Sequence, residues 1–154
     1  MKKLISAIKD FLFGASTTAG GGSKAPVDWR FATRKINKNT FYIHVTARIQ
    51  SPWHIYTKLL GIPKGSLLSI TYEHNAFIII SDEIKEVGLP IEGYDNALKE
   101  NVRFYKRGVN FVQKVSLFMD GQVTLNGIME YVIGDGIDRL QTYKKEFQIN
   151  LNAH

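Results

Sequence analysis

Cysteine is missing from all 154 positions. Its absence excludes disulfides, thiolate nucleophiles, zinc–thiolate sites and iron–sulfur clusters. It does not fix a compartment, because a chain without thiols is stable on either side of a membrane. Long apolar runs are also lacking: no stretch approaches the ~18–20 residues that a membrane-spanning helix requires. Clustered positive charge is scarce beyond Arg103, Lys106 and Arg107. The net charge is +6, but about half of that excess sits in residues 1–30, on Lys2, Lys3, Lys9, Lys24 and Arg30 against Asp10 and Asp28. A nucleic-acid face needs Lys and Arg gathered along a groove or helix, so no nucleic-acid partner is expected.

Metal and hydrolase signatures are wanting as well. His44, His54, His74 and His154 show no ligand spacing, and two imidazoles alone make a poor metal site. No Gly-x-Ser-x-Gly elbow is present. The IGDGID segment, with Asp135 and Asp138, lacks the further oxygen ligands of a calcium loop and reads as a turn. No cofactor and no metal are expected.

What the chain does have is enough length for one domain, with 44% hydrophobic and 22% charged residues, the balance of a folded globular protein. The first 25 residues stand apart. Leu4, Ile5, Ile8, Phe11 and Leu12 fall at helical spacing and predict a short amphipathic helix. Three readings of it stay open: an export signal whose apolar middle Lys9 and Asp10 interrupt, a helix lying on a membrane surface through residues 1–13, or an appendage that packs on the domain or frays. AGGGSK (19–24) is a flexible linker by composition. The domain proper is expected over residues 26–152.

From Val27 onward the hydrophobic period is two. In TFYIHVTARIQ (40–50), Phe41, Ile43, Val45, Ala47 and Ile49 share one face, which predicts a half-buried antiparallel strand pairing with residues 29–36 across the turn at Asn37–Asn39. Strands are expected at 67–72 and 76–81, at 101–106 and 109–117 as a tight hairpin around Arg107-Gly108, at 122–133 with a bulge at Gly127, and at 145–151. Pro52, Pro63 and Pro90 fall in connections, as a ladder requires. Residues 83–100 lack periodicity and read as a long loop, a length that in a compact domain is often functional. Seven to nine such strands with no long helical pattern predict an all-β sandwich or barrel. Among surface candidates SPWHIY stands out: Trp53 and Tyr56 bracket His54, either as a ligand surface or as aromatics capping the end of the core.

The ordered set VDW (27–29), SPWHIY (51–56), EGYDNALKENVRFYKRGVNFVQKVSL (92–117), VTLNGIMEYVI (123–133) and KKEFQINL (144–151) resembles the N-terminal domain of the thiol:disulfide interchange protein DsbD, particularly the versions in Bacteroidetes-type bacteria. The resemblance spans roughly Pro26 to Leu151. It implies an immunoglobulin-like antiparallel β-sandwich in the periplasm that passes electrons to partner oxidoreductases through a cysteine pair. Counting from Tyr131, the resemblance puts the first cysteine at about Gly134 and the second near Arg139, and neither is a cysteine here. Gln141 and Thr142 stand where the family's prolines follow. Exchange at a disulfide requires sulfur, so the family's catalytic roles are carried to no residue.

What the resemblance leaves is a surface. A cap over the reactive loop matches residues 88–100 with Tyr94. The expected partner-facing or ligand-facing set is therefore Trp53, His54, Tyr56, Tyr94, Tyr131, Gly134 and Arg139. The leading expectation is a non-catalytic interaction domain whose partner is another, envelope-associated protein, with the chain in the periplasm or envelope; the interrupted leader leaves the cytoplasm open. Two alternatives remain: an enzyme using His54 with Asp95 or Glu92, and a structural envelope subunit that adds an edge strand to its partner.

Overall fold

The computed structural model describes residues 25–153. The amphipathic segment, its contact with a membrane surface, the linker and His154 lie outside the described residues. Within them there are ten strands and no helix: β1 (Val27–Lys35), β2 (Thr40–Ile49), β3 (His54–Leu59), β4 (Ser69–Tyr72), β5 (Ile78–Gly88), β6 (Ile91–Asp95), β7 (Glu100–Tyr105), β8 (Gly108–Leu117), β9 (Gly121–Gly134) and β10 (Leu140–Ala153). They form two antiparallel sheets, one in the order β1-β2-β8-β5 and one in the order β10-β9-β3-β7-β6, with β4 also on β9.

Alternation decides which side of each strand is buried. Phe41, Ile43, Val45, Ala47 and Ile49 of β2 and Val109, Phe111, Val115 and Leu117 of β8 face Val123, Leu125, Met129, Tyr131 and Ile133 of β9 and Phe147, Ile149 and Leu151 of β10 in one core. Each large aliphatic or aromatic side chain taken from water there contributes roughly 1.5–3 kcal/mol. A second, smaller cluster of Tyr56, Leu59, Leu67, Val102 and Val132 is separate from this core. Its strand residues alternate with the inward-facing Ile55, Tyr105 and Ile133, so the cluster lies on the outer face of the six-stranded sheet.

Three local expectations are corrected and one strand goes unread in the pattern. Residues 83–100 are not a loop. β5 runs on to Gly88, and β6 and β7 form a hairpin pairing Ile91 with Phe104 and Asp95 with Glu100. The alternation of β6 and of the second half of β5 is masked because both strands are sheet edges with side chains exposed on both faces. Arg107-Gly108 is not a hairpin turn: β7 pairs with β3 in one sheet and β8 pairs with β2 and β5 in the other, so the chain crosses between sheets there. Residues 54–59 form a strand that the pattern hides, because both its faces are covered. Gly127 is not a bulge. The β9–β10 register runs through it unbroken opposite Phe147. A Cβ there would collide with Cζ of Phe147, whose ring stacks on Phe31. Glycine is needed because an aromatic ring covers the strand.

Candidate functional site

Along β3 and the residue before it, Trp53 and Ile55 join the main core while Tyr56 turns to the outer cluster. His54 shares that outer side, its ring centroid 4.6 Å from that of Phe104 and edge-on to Tyr56. Three polar side chains meet there. His54, Tyr56 and Asp95 are exposed by only 5%, 0% and 4%. The Tyr56 hydroxyl donates to Asp95 Oδ1 at 2.5 Å and lies 3.2 Å from His54 Nε2. Because the hydroxyl's one proton goes to the carboxylate, a neutral His54 must carry its own proton on Nε2 and donate to Tyr56.

Asp95 also shapes the chain. Its Oδ2 accepts the Leu98 N–H at 2.8 Å, and its carbonyl accepts that of Lys99 at 2.7 Å. The side chain thus closes the β6–β7 turn in the manner of an Asx turn. YDNALK (94–99) carried that signal in the sequence, where Asp95 was singled out only as a partner for His54.

Over His54 and Tyr56 lies the β9–β10 connection. Gly134 pairs with both His54 and Leu140, and Gly136 has φ +79 with its missing Cβ aimed 2.9 Å from His54 Cε1. Asp135 Oδ1 accepts the backbone N–H groups of Ile137, Asp138 and Arg139 at 2.9, 3.1 and 3.0 Å. Those backbone donors, Ile137 first, hold the Asp135 carboxyl below the usual carboxylate range. The connection is therefore an ordered loop that binds its own carboxylate, with Ile137 at 71% exposure on its tip.

Burial sets the chemistry of the floor. It pushes His54 below its ordinary value; Asp95 opposes the shift, Lys106 adds to it and Asp135 opposes it. Burial, then the bond to Asp95, pushes the Tyr56 phenol far up. A phenol held protonated against a carboxylate is neither nucleophile nor acid near neutrality. With all three residues covered, the group serves as a brace beneath the loop. A histidine kept neutral in the native state binds its proton more readily when unfolded. Its stability contribution is complete above about pH 6.5 and declines as pH falls from there toward the lower native value. The melting temperature is expected to drop between pH 7.5 and pH 5.5 in scanning calorimetry, with a flatter profile for His54→Gln.

The structure brings together four of the seven expected residues: His54, Tyr56, Gly134 and Arg139. Gly134's missing Cβ would meet the Tyr56 hydroxyl and the Arg139 carbonyl. The other three lie elsewhere. Trp53 packs against the main core. Tyr131 points inward, edge-on to Trp29 and stacked on Tyr143. Tyr94, 63% exposed, neighbours Asp95 on β6 and so projects from the opposite face. Glu92 is likewise separate, paired with Arg103 at 3.2 Å. His44 bonds Asn110 in the other sheet, away from His54. Among the described residues no group of three or more His, Asp or Glu is placed to hold a metal. A concavity of about 800 Å³ lies away from the site as an open groove around Gly127, Asn126 and Glu146.

No protein-family model matches the chain, and no curated protein matches its sequence. Solved structures do match in fold. The N-terminal periplasmic domain of ScsB from Proteus mirabilis superposes with a TM-score of 0.57 at 16% identity over 84% of this chain, which spans 47% of that one, about half its length. The N-terminal domain of DsbD from Neisseria meningitidis, in the reduced form, superposes with a TM-score of 0.58 at 10% identity, covering 82% of this chain and 86% of that one. The yeast GGA1 GAE domain reaches 0.50 at 6% identity over 84% and 94% of the two chains. The sandwich is thus the immunoglobulin-like fold that the order of sequence motifs implied.

Proposed function

We propose that the chain is a docking module of DsbD-like ancestry that has lost thiol–disulfide exchange and engages another protein through the loop at residues 134–139. The observation that carries this reading is the loop itself. It stands where the resemblance places the reactive cysteines, it is ordered by Asp135, it rests on the buried His54–Tyr56–Asp95 group, and it presents Ile137 to solvent. A rigid loop with one exposed apolar side chain meets a partner at low entropic cost, and the absence of any cysteine from the chain leaves shape as what it can offer. The reading places the module in the bacterial envelope, in keeping with the periplasmic ScsB domain of like fold. Contact with a membrane surface through residues 1–13 belongs to the same reading; among the described residues no helix is long and apolar enough to cross a membrane.

A photo-crosslinker at position 137, with position 79 as an exposed control, tests it in the native host. One dominant adduct is expected at 137 and not at 79, identified by mass spectrometry as an envelope protein. Diffuse adducts of equal yield at both positions would overturn the reading. Against the protein so identified, Ile137→Asp is expected to weaken binding roughly 30-fold, the loss of one central apolar anchor. Its melting temperature should stay unchanged, since an exposed tip residue supports little of the core.

A further inference from the structure

Two strand pairs lose step, one in each sheet. The β3–β7 register shifts between Tyr56 and Lys58, and the β5–β8 register shifts between Ser81 and Lys85. The Ser81 carbonyl freed by the second irregularity is taken by the side-chain amide of the buried Gln113 at 3.0 Å. Strand irregularities are over-represented beside active sites. Beside them is a cleft of about 460 Å³ lined by Lys58, Glu83, Glu86, Arg103 and Tyr105. A smaller hollow of about 270 Å³ shares Glu83 and Glu86 with it and reaches Thr57 and Gln113. The combined space falls in the size range of small-molecule sites.

The cleft is lined by two cations, Lys58 and Arg103, and two carboxylates, Glu83 and Glu86, with no ion pair between them among the described residues. Glu86 takes the hydroxyls of Thr57 and Tyr105, at 2.9 and 2.8 Å, both on Oε1. Its Oε2 has no hydrogen-bond partner among the described residues. Arg103 spends one terminal nitrogen on Glu92, while its Nε is buried with no partner among the described residues. Lys58 stands directly across the ladder from Arg103, a like-charge pairing that costs stability when nothing lies between. A metal ion would be repelled by Lys58 and Arg103, and a simple anion by Glu83 and Glu86. Donors and acceptors of opposite charge around one hollow suit a ligand carrying both charges.

We propose that this cleft binds a small zwitterion of the free α-amino acid class. Its carboxylate is received by the Arg103 guanidinium and the Lys58 ammonium, and its ammonium by Glu86 Oε2 with Glu83 at the mouth. Isothermal titration of the full chain with the individual L-amino acids, at low ionic strength, tests it. At least one is expected to bind with a Kd in the millimolar range or tighter. Its N-acetyl and methyl ester derivatives, each lacking one charge, should bind at least tenfold more weakly, as should the parent amino acid to Glu86→Gln and Arg103→Gln, each of which loses a charged hydrogen bond. In the unaltered chain the backbone amide resonances of Thr57, Glu86 and Tyr105 should shift on titration, which decides the matter if either variant fails to fold. Binding by no amino acid, equal binding of the singly charged derivatives, or resonance shifts that spare these three residues would overturn it.

Discussion

Replacing Gly134 by alanine is expected to lower the melting temperature by about 6–12 °C, from a loss of roughly 3 kcal/mol in a chain of this size. The backbone is not the reason, since Gly134 is not among the residues with positive φ. An added methyl group would even stabilise slightly by restricting the unfolded chain, by about 0.4–1 kcal/mol. The cost is steric. A Cβ would collide with the Tyr56 hydroxyl and sit 2.8 Å from its Cε2 and 3.0 Å from the Arg139 carbonyl. The tyrosine cannot swing aside, because it is fully buried and its hydroxyl is bound to Asp95 and His54. Overpacking costs about 1–3 kcal/mol, and displacing a buried hydroxyl from its partners adds about 1–3 kcal/mol. Chemical denaturation should show the midpoint moving with little change in slope. A Gly134→Ala chain as stable as the parent would mean that the loop lifts freely off β3. The same contact bears on ancestry: a cysteine at position 134 meets the same obstruction, so G134C with R139C is expected to be destabilised rather than to regain exchange.

The features that make Gly134 sensitive were only partly legible in the sequence, for reasons specific to each strand. β2, β8 and β9 pack one face on the core and leave the other wetter, so their alternation is open to reading. β3 is hidden because the outer cluster covers its second face, and HIYTKL shows no alternation at all. The second half of β5 and all of β6 are hidden for the opposite reason: as edge strands they carry charge and exposed Val87 and Ile91, with no run of buried residues to mark the period. Sheet membership is not written locally either. A Gly-containing turn before β8 suits a hairpin and a crossing equally, and only the packing of β7 on β3 decides. At the site, His54 and Tyr56 drew notice as aromatics after a strand. Their link to Asp95, 39 residues on, depends on the β6–β7 hairpin folding back over β3, which local patterns cannot show. The polar cleft was invisible for the same reason, since Glu86, Thr57 and Arg103 come from three strands of two sheets.

Removal of the Asp95 carboxylate is the second large effect expected. Asp95→Ala strands two donors in a nearly dry place: the Tyr56 hydroxyl and the Leu98 N–H. Each buried donor left without an acceptor costs about 1–3 kcal/mol, so a total near 3 kcal/mol is expected in denaturant titrations. Asp95→Asn should recover part of this, because its amide oxygen can accept from one donor while its NH₂ group faces the other. A cycle with Tyr56→Phe separates the two roles of Asp95. If the Tyr56 bond carries its share, Asp95→Ala should cost about 1–2 kcal/mol less in a chain already bearing Tyr56→Phe than in the parent. The remainder reports the turn at residues 95–99. Hydrogen exchange gives the spatial signature: Asp95→Ala should speed exchange at residues 134–139 as well as at residues 95–99, although no bond joins Asp95 to the loop directly. Faster exchange confined to the turn would show that the loop stands without Tyr56, and that its order is owed to Asp135 alone.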